Sequence, residues 1–344
     1  MKRCLIILAV VHLVTGAAAA GFLSRLVTTT LNRLMITILP PGKANPSNMA
    51  VVEGDMMRSS MLDQPAARMV RAREAHAVAT GAGVLVAVLD AGFDVNHPAL
   101  RDRVVPGIDM LSRDGNPNDL GNGFDDYGEG HPDNAVGHGN FVAGMVLLAA
   151  PDARILPIRV MDDEGYGNNA AITSGIRYAL TRGARVINIS ARAAALLDCR
   201  DVRQALDEAY ARGVVVVASA GNEGGNGLGV IAGDDRTVSV GSVDDAGTVA
   251  EFSNGAGWGE ELAALAPGVD LTGPMTGSSM GVWSGTSFSA GLASGAAALW
   301  LQLEPSSSPD CVRARIRTCV NTAYDRSGRC CSSGVLDLAK VVNR

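Results

Sequence analysis

Val84-Leu85-Val86-Ala87-Val88-Leu89-Asp90-Ala91-Gly92 begins with six apolar residues in an unbroken row and closes on a carboxylate and a glycine. A strand with one wet face alternates apolar and polar residues. An unbroken apolar row of strand length therefore belongs to a parallel sheet covered by helices on both faces. Residues 155–160, 186–189, 214–218 and 237–243 repeat the pattern, and helical stretches at 169–182 and 200–212 lie between them. Alternating strands and helices predict an α/β fold: a doubly wound, mostly parallel β-sheet flanked by helices, with ligands at the carboxyl ends of the strands. Asp90 stands at such an end.

Far downstream, Gly285-Thr286-Ser287-Phe288-Ser289-Ala290-Gly291 runs into Leu292-Ala293-Ser294-Gly295-Ala296-Ala297-Ala298-Leu299-Trp300-Leu301. Small or apolar on every side, this run predicts a buried helix. A Ser in its first turn is held rigidly beside free N–H groups and the positive end of the helix dipole, which suit a developing oxyanion. The bland alternative is that Thr286 or Ser287 is only an N-cap. Two further polar residues decide between these readings. His138 opens Gly137-His138-Gly139-Asn140-Phe141-Val142-Ala143-Gly144, the start of another apolar helix, and Asn222 follows the apolar run 214–218 and Ala220-Gly221. Nucleophile, base, orienting carboxylate and amide donor are the parts a serine hydrolase needs.

Asp90-Ala91-Gly92, His138-Gly139 with Val142-Ala143-Gly144, Ala220-Gly221-Asn222 and Gly285-Thr286-Ser287 resemble, in order, the catalytic blocks of the subtilisin-like serine proteases. The order Asp, His, Ser is the one subtilisin uses. The resemblance covers about residues 65–344. It implies that Asp90, His138 and Ser287 form a triad, that Asn222 completes an oxyanion hole, and that the chain is a serine endopeptidase acting on polypeptides with no cofactor. The departures are Ala91 for the usual Ser or Thr, Asn140-Phe141 for Thr-His, Phe288 for Met, and Gly291-Leu292 for Pro-His. The strand 186–189 runs on into Ser190, Ala191 and Arg192, where the family has Leu-Gly-Gly after the serine. These three are expected to touch substrate, with Arg192 narrowing the primary pocket, or favouring an acidic side chain there, or turning to solvent.

Other classes fit less well. All five histidines precede Ser287, whereas an α/β-hydrolase needs its His after the nucleophile. No Gly-rich turn joins a strand to a helix as dinucleotide binding requires. A formal charge of −6 with no dominant basic stripe argues against nucleic acid. The remaining non-enzymatic rival is a degenerate, non-catalytic binding module on the same scaffold.

Met1-Lys2-Arg3, an apolar stretch 4–14 and Thr15-Gly16-Ala17-Ala18-Ala19-Ala20 read as a secretory signal peptide over 1–20, too short for a stable membrane anchor. The protein is accordingly expected in the periplasm or outside the cell. Residues 21–64 read as an N-terminal extension or short prosegment and 65–344 as the catalytic domain. Cys311, Cys319, Cys330 and Cys331 cluster near the end of an exported chain, which favours local disulfides. The long loop 112–134 is rich in oxygen ligands, and Asp114, Asp119, Asp125 and Asp126 are its candidates for structural calcium; the alternative is a solvated cluster of turns.

Overall fold

The computed structural model describes residues 36–37, 42–45, 60–119, 121–126, 132–191, 199–257, 259–321 and 334–343. The strands are β1 (Ile36–Thr37), β2 (Gly42–Asn45), β3 (Leu85–Asp90), β4 (Ile108–Asp109), β5 (Arg154–Arg159), β6 (Tyr166–Gly167), β7 (Val186–Ile189), β8 (Val215–Ser219), β9 (Val238–Val243), β10 (Ala264–Pro267), β11 (Leu271–Pro274), β12 (Met280–Ser284), β13 (Val320–Asn321) and β14 (Val335–Leu336). The helices are α1 (Pro65–Met69), α2 (Ala72–His76), α3 (His138–Ala149), α4 (Asn169–Thr181), α5 (Arg200–Ala211), α6 (Thr286–Leu303), α7 (Pro309–Thr318) and α8 (Leu338–Val342). The five strands and two helices expected from the apolar rows and helical stretches between 84 and 243 fall within one residue of these bounds.

Among the described residues, nine strands form one sheet in the order β13-β14-β10-β9-β8-β7-β3-β5-β4. Every pairing in it is parallel except β13 with β14. From β3 the chain moves to β5 on one side and then returns to β7 on the other. Asp90 ends β3 and therefore lies at the point where the winding reverses, the place where such sheets bind ligands. The covered-sheet reading of the first stretch is visible residue by residue. Val86 and Val88 join the core that holds α3 and α6, while Ala87 and Leu89 join the core under α4 and α5.

Helix α6 is buried over nearly its whole length, Trp300 at its far end being half-buried. Its approach to α3 depends on two glycines four residues apart. A Cβ on Gly291 would meet the Val142 carbonyl oxygen and Met145 Cβ at 2.9 Å, and one on Gly295 would meet Ala149 Cβ at 2.5 Å. Small residues at this spacing form a groove that admits the neighbouring backbone. Gly291→Val is thus expected to force the two helices apart and lower unfolding free energy by about 2–3 kcal/mol, read from the urea midpoint; an unchanged midpoint would show that the helices separate freely.

The Ala- and Arg-rich run 65–79, whose composition predicts one helix, forms two. The break falls at Arg71, whose φ of 57° is left-handed. Distant residues explain it: the Val70 carbonyl accepts the Leu338 N–H at 2.9 Å, and the Arg71 guanidinium lies 3.3 Å from Asp337, which caps α8. Two short strands, β1 and β2, come from the stretch 21–64. β1 pairs antiparallel with β6, and β2 pairs antiparallel with β12, which forms a smaller sheet with β11.

Candidate active site

Asp90 and His138 are both buried, and His138 Nδ1 lies 2.6 Å from Asp90 Oδ1. With Nδ1–H donating to the carboxylate, Nε2 is left as the acceptor. The Ala91 N–H also donates to Oδ1, at 2.8 Å, while Asp90 Oδ2 is buried without a hydrogen-bond partner. Glycines on both sides of His138 make the contact sterically feasible. Gly137, at φ 88°, turns the chain into α3, and a Cβ on Gly139 would sit 2.1 Å from the Gly92 carbonyl oxygen. No other residue type lets a helix begin so close to the end of β3.

Ser287 is the second residue of α6 and is 5% exposed. The His138 ring packs against Phe288, the residue after Ser287, at 5.3 Å between centroids, and against Trp283 of β12 at 5.4 Å, edge on. Phe141 completes the cluster, 4.3 Å from Phe288 and 6.0 Å from Trp283. Asn140 ties the same helix start to two loops, accepting the Asp94 N–H at 2.8 Å and donating to the Met275 carbonyl at 2.6 Å. On the other side of α6, the Ser190 hydroxyl accepts from Asn188 Nδ2 at 2.8 Å and donates to the Ser287 carbonyl at 3.3 Å. The end of β7 is thereby fixed against the first turn of α6.

Asn222 enters through Thr286. Its Oδ1 accepts both the Thr286 N–H, at 2.8 Å, and the Thr286 hydroxyl, at 2.7 Å, while that hydroxyl accepts the Gly221 N–H at 3.2 Å. With the oxygen held this way, the Asn222 amide nitrogen faces Gly285, 3.4 Å from where a Cβ there would stand. An N–H donor is thus directed at the turn just before Ser287, beside the N-terminus of an 18-residue helix.

The subtilase family model matches residues 81–334. The chain belongs to the subtilase family. It is 34% identical to subtilisin DY of Bacillus licheniformis over 71% of this chain and 86% of that one. It is 37% identical to a thermophilic serine proteinase of Bacillus sp. (strain AK1), over 63% of this chain and 52% of that longer protein. Among solved structures, a protease of Pseudoalteromonas arctica superposes with TM-score 0.68 at 27% identity, covering 79% of this chain and 93% of that one. A cold-adapted subtilisin-like serine proteinase shares the fold with TM-score 0.64 at 23% identity, over 75% and 89%. Subtilases are serine endopeptidases that need no cofactor for catalysis, and this member's departures from the common pattern have local partners. Phe141 and Phe288, both unusual, pack on each other, and Gly291 lies where α6 crosses α3.

Asp114, Asp119, Asp125 and Asp126 are not assembled as a calcium site. Asp114 Oδ1 accepts the Asn116 N–H at 2.9 Å and Asp126 Oδ2 accepts from Asn122 Nδ2 at 2.7 Å, both on the surface, whereas Asp119 is turned into the core. Among the described residues no three His, Cys, Asp or Glu side chains are grouped to hold a metal ion. Short-range turn hydrogen bonds use the oxygens that the composition suggested for a cation. Ser190 and Ala191, expected to touch substrate, follow β7 with buried side chains. Arg192 lies outside the described residues. Cys311 is an exposed thiol and Cys319 a buried one, not joined to each other; Cys330 and Cys331 fall outside the described residues, as does the segment 1–20. Among the described residues no helix is long and apolar enough to cross a membrane.

Proposed function

We propose that this subtilase is a secreted serine endopeptidase in which Ser287 attacks the peptide carbonyl. His138 takes the serine proton and returns it to the leaving amine. Asp90 holds the imidazole in the tautomer with Nε2 free and stabilises the imidazolium. The Asn222 side chain and the Ser287 backbone N–H receive the oxyanion, and water then releases the acyl group by the same steps in reverse. The observation that carries the reading is the buried 2.6 Å contact between His138 and Asp90, with the same imidazole packed against Phe288 next to the serine. Substrate is expected to bind extended, as an added strand along the end of β7.

Residues 1–20 serve as the export signal and 21–64 as the extension or prosegment. Disulfides are expected among Cys311, Cys319, Cys330 and Cys331 once the protein has left the reducing cytoplasm. Treatment of the purified exported protein with a fluorophosphonate probe should place one adduct on Ser287, found by peptide mass spectrometry, together with loss of casein hydrolysis. An unlabelled serine in correctly folded protein would reject the enzymatic assignment. The mature N-terminus and the non-reduced peptide map from the same sample read the signal cleavage and the disulfides.

A further inference from the structure

Asp119 is a buried carboxylate that the proposed mechanism leaves unused. Its Oδ2 accepts the N–H of Gly137, the residue before His138. Its own N–H donates to the Phe93 carbonyl at 3.2 Å, and the Phe93 N–H donates to the Pro117 carbonyl at 2.9 Å, so the segment carrying it is paired with the chain just beyond Asp90. A Cβ on Gly92 would stand 2.9 Å from Asp119 Cα, so the two backbones are in direct contact. One residue therefore joins the end of β3, which carries Asp90, to the start of α3, which carries His138.

The other charged groups that act on Asp119 are few. Asp90 and His138 influence it through space, and Arg159 is the positive charge nearby. That guanidinium is already engaged: its Nε donates to the Ala91 carbonyl at 2.8 Å and it pairs with Asp109 at 2.9 Å. Asp119 Oδ1 and Asp90 Oδ2 are both buried with no hydrogen-bond partner.

Resting on the catalytic reading above, we propose that Asp119 is a positioning residue of the hydrolytic site. It holds the Gly137–His138 backbone against Asp90 and adds a second buried negative charge behind the imidazolium that forms as the serine attacks. The effect on stability favours a functional role. Burial, with Asp90 adding to it, raises the Asp119 carboxyl to about 6 from its ordinary 3.8. A carboxyl raised on folding contributes stability below its unfolded value that is lost as pH rises through its folded value, so this charge weakens the fold at neutral pH. An asparagine would accept the same N–H without that loss. Keeping the acid is reasonable where the charge serves the reaction.

The test is kcat and KM on a peptide substrate from pH 5 to 9 for wild type, Asp119→Asn, Asp119→Ala and Ser287→Ala, with melting temperatures at pH 7. The asparagine variant is expected to lose about 10-fold in kcat with KM nearly unchanged. Its acid limb should move to lower pH, because removing a negative neighbour makes the imidazolium less favourable, and it should melt at or above the wild-type temperature. The alanine variant, which also loses the N–H acceptor, should lose about 100-fold. An asparagine variant with wild-type kcat and an unmoved limb overturns the proposal, and so does a loss of kcat in both variants with the limb unmoved. Turnover surviving in Ser287→Ala rejects the catalytic reading instead.

Discussion

Ser287→Ala is expected to lower kcat about a million-fold while the protein still folds and still binds peptide; the magnitude is the one known for subtilisin. The reasoning follows from where the serine sits. In the first turn of α6, between Thr286 and Phe288, it is packed by the buried helix, so an alanine there keeps every backbone contact and removes only the attacking oxygen. Substrate affinity should hold, because extended peptides bind through their main chain along neighbouring strands. His138→Ala should lose as much alone, and the double variant little more, since base and nucleophile act as a unit. Asp90→Asn should lose about 10,000-fold, because an amide in contact with Nδ1 selects the wrong imidazole tautomer. The measurement is single-turnover acylation with an activated ester alongside casein hydrolysis. A Ser287→Ala enzyme within 100-fold of wild type would place the nucleophile elsewhere.

The second large effect is expected at Asn222. Replacing it by alanine should lower kcat about 100- to 1,000-fold and leave KM nearly unchanged, since its amide N–H acts on the oxygen only once that oxygen bears charge. The structure adds a reason to expect an effective donor here. Both Thr286 hydrogen bonds end on the Asn222 oxygen, so the amide is held in one orientation before substrate arrives and needs no reorganisation during the reaction. Asn222→Asp should be no better than alanine, because it turns a donor into an acceptor and sets a negative charge beside the developing oxyanion. Steady-state kinetics on one peptide substrate read both variants. A rise in KM at constant kcat would mean that Asn222 binds the ground state instead.

Much of this was legible in the linear chain. Apolar rows without alternation identify strands covered on both faces, because a parallel sheet leaves no wet side for polar residues to occupy. The row ending in Asp90 and the fully apolar run after Ser287 carry their own evidence for that reason, and four ordered blocks bring Asp90, His138, Asn222 and Ser287 together without coordinates. Glycine marks the tight places as well, as the pair around His138 illustrates.

Contacts between residues far apart in the chain were decided only by the tertiary structure. Val70 and Arg71 break a helix because Leu338 and Asp337 compete for their groups, and no local propensity anticipates partners more than 260 residues away. Phe141 and Phe288 read separately as losses from the family pattern, yet they are one packed pair beside the imidazole. Composition placed Asp119 among calcium ligands because a carboxylate in an Asn- and Gly-rich loop resembles its neighbours; burial separated it from them and set it under His138. The sequence by itself singled out the residues proposed to carry the chemistry, since their types and order are local facts. Folding decided what surrounds them, because burial and charge at a site depend on segments that meet only when the sheet is complete.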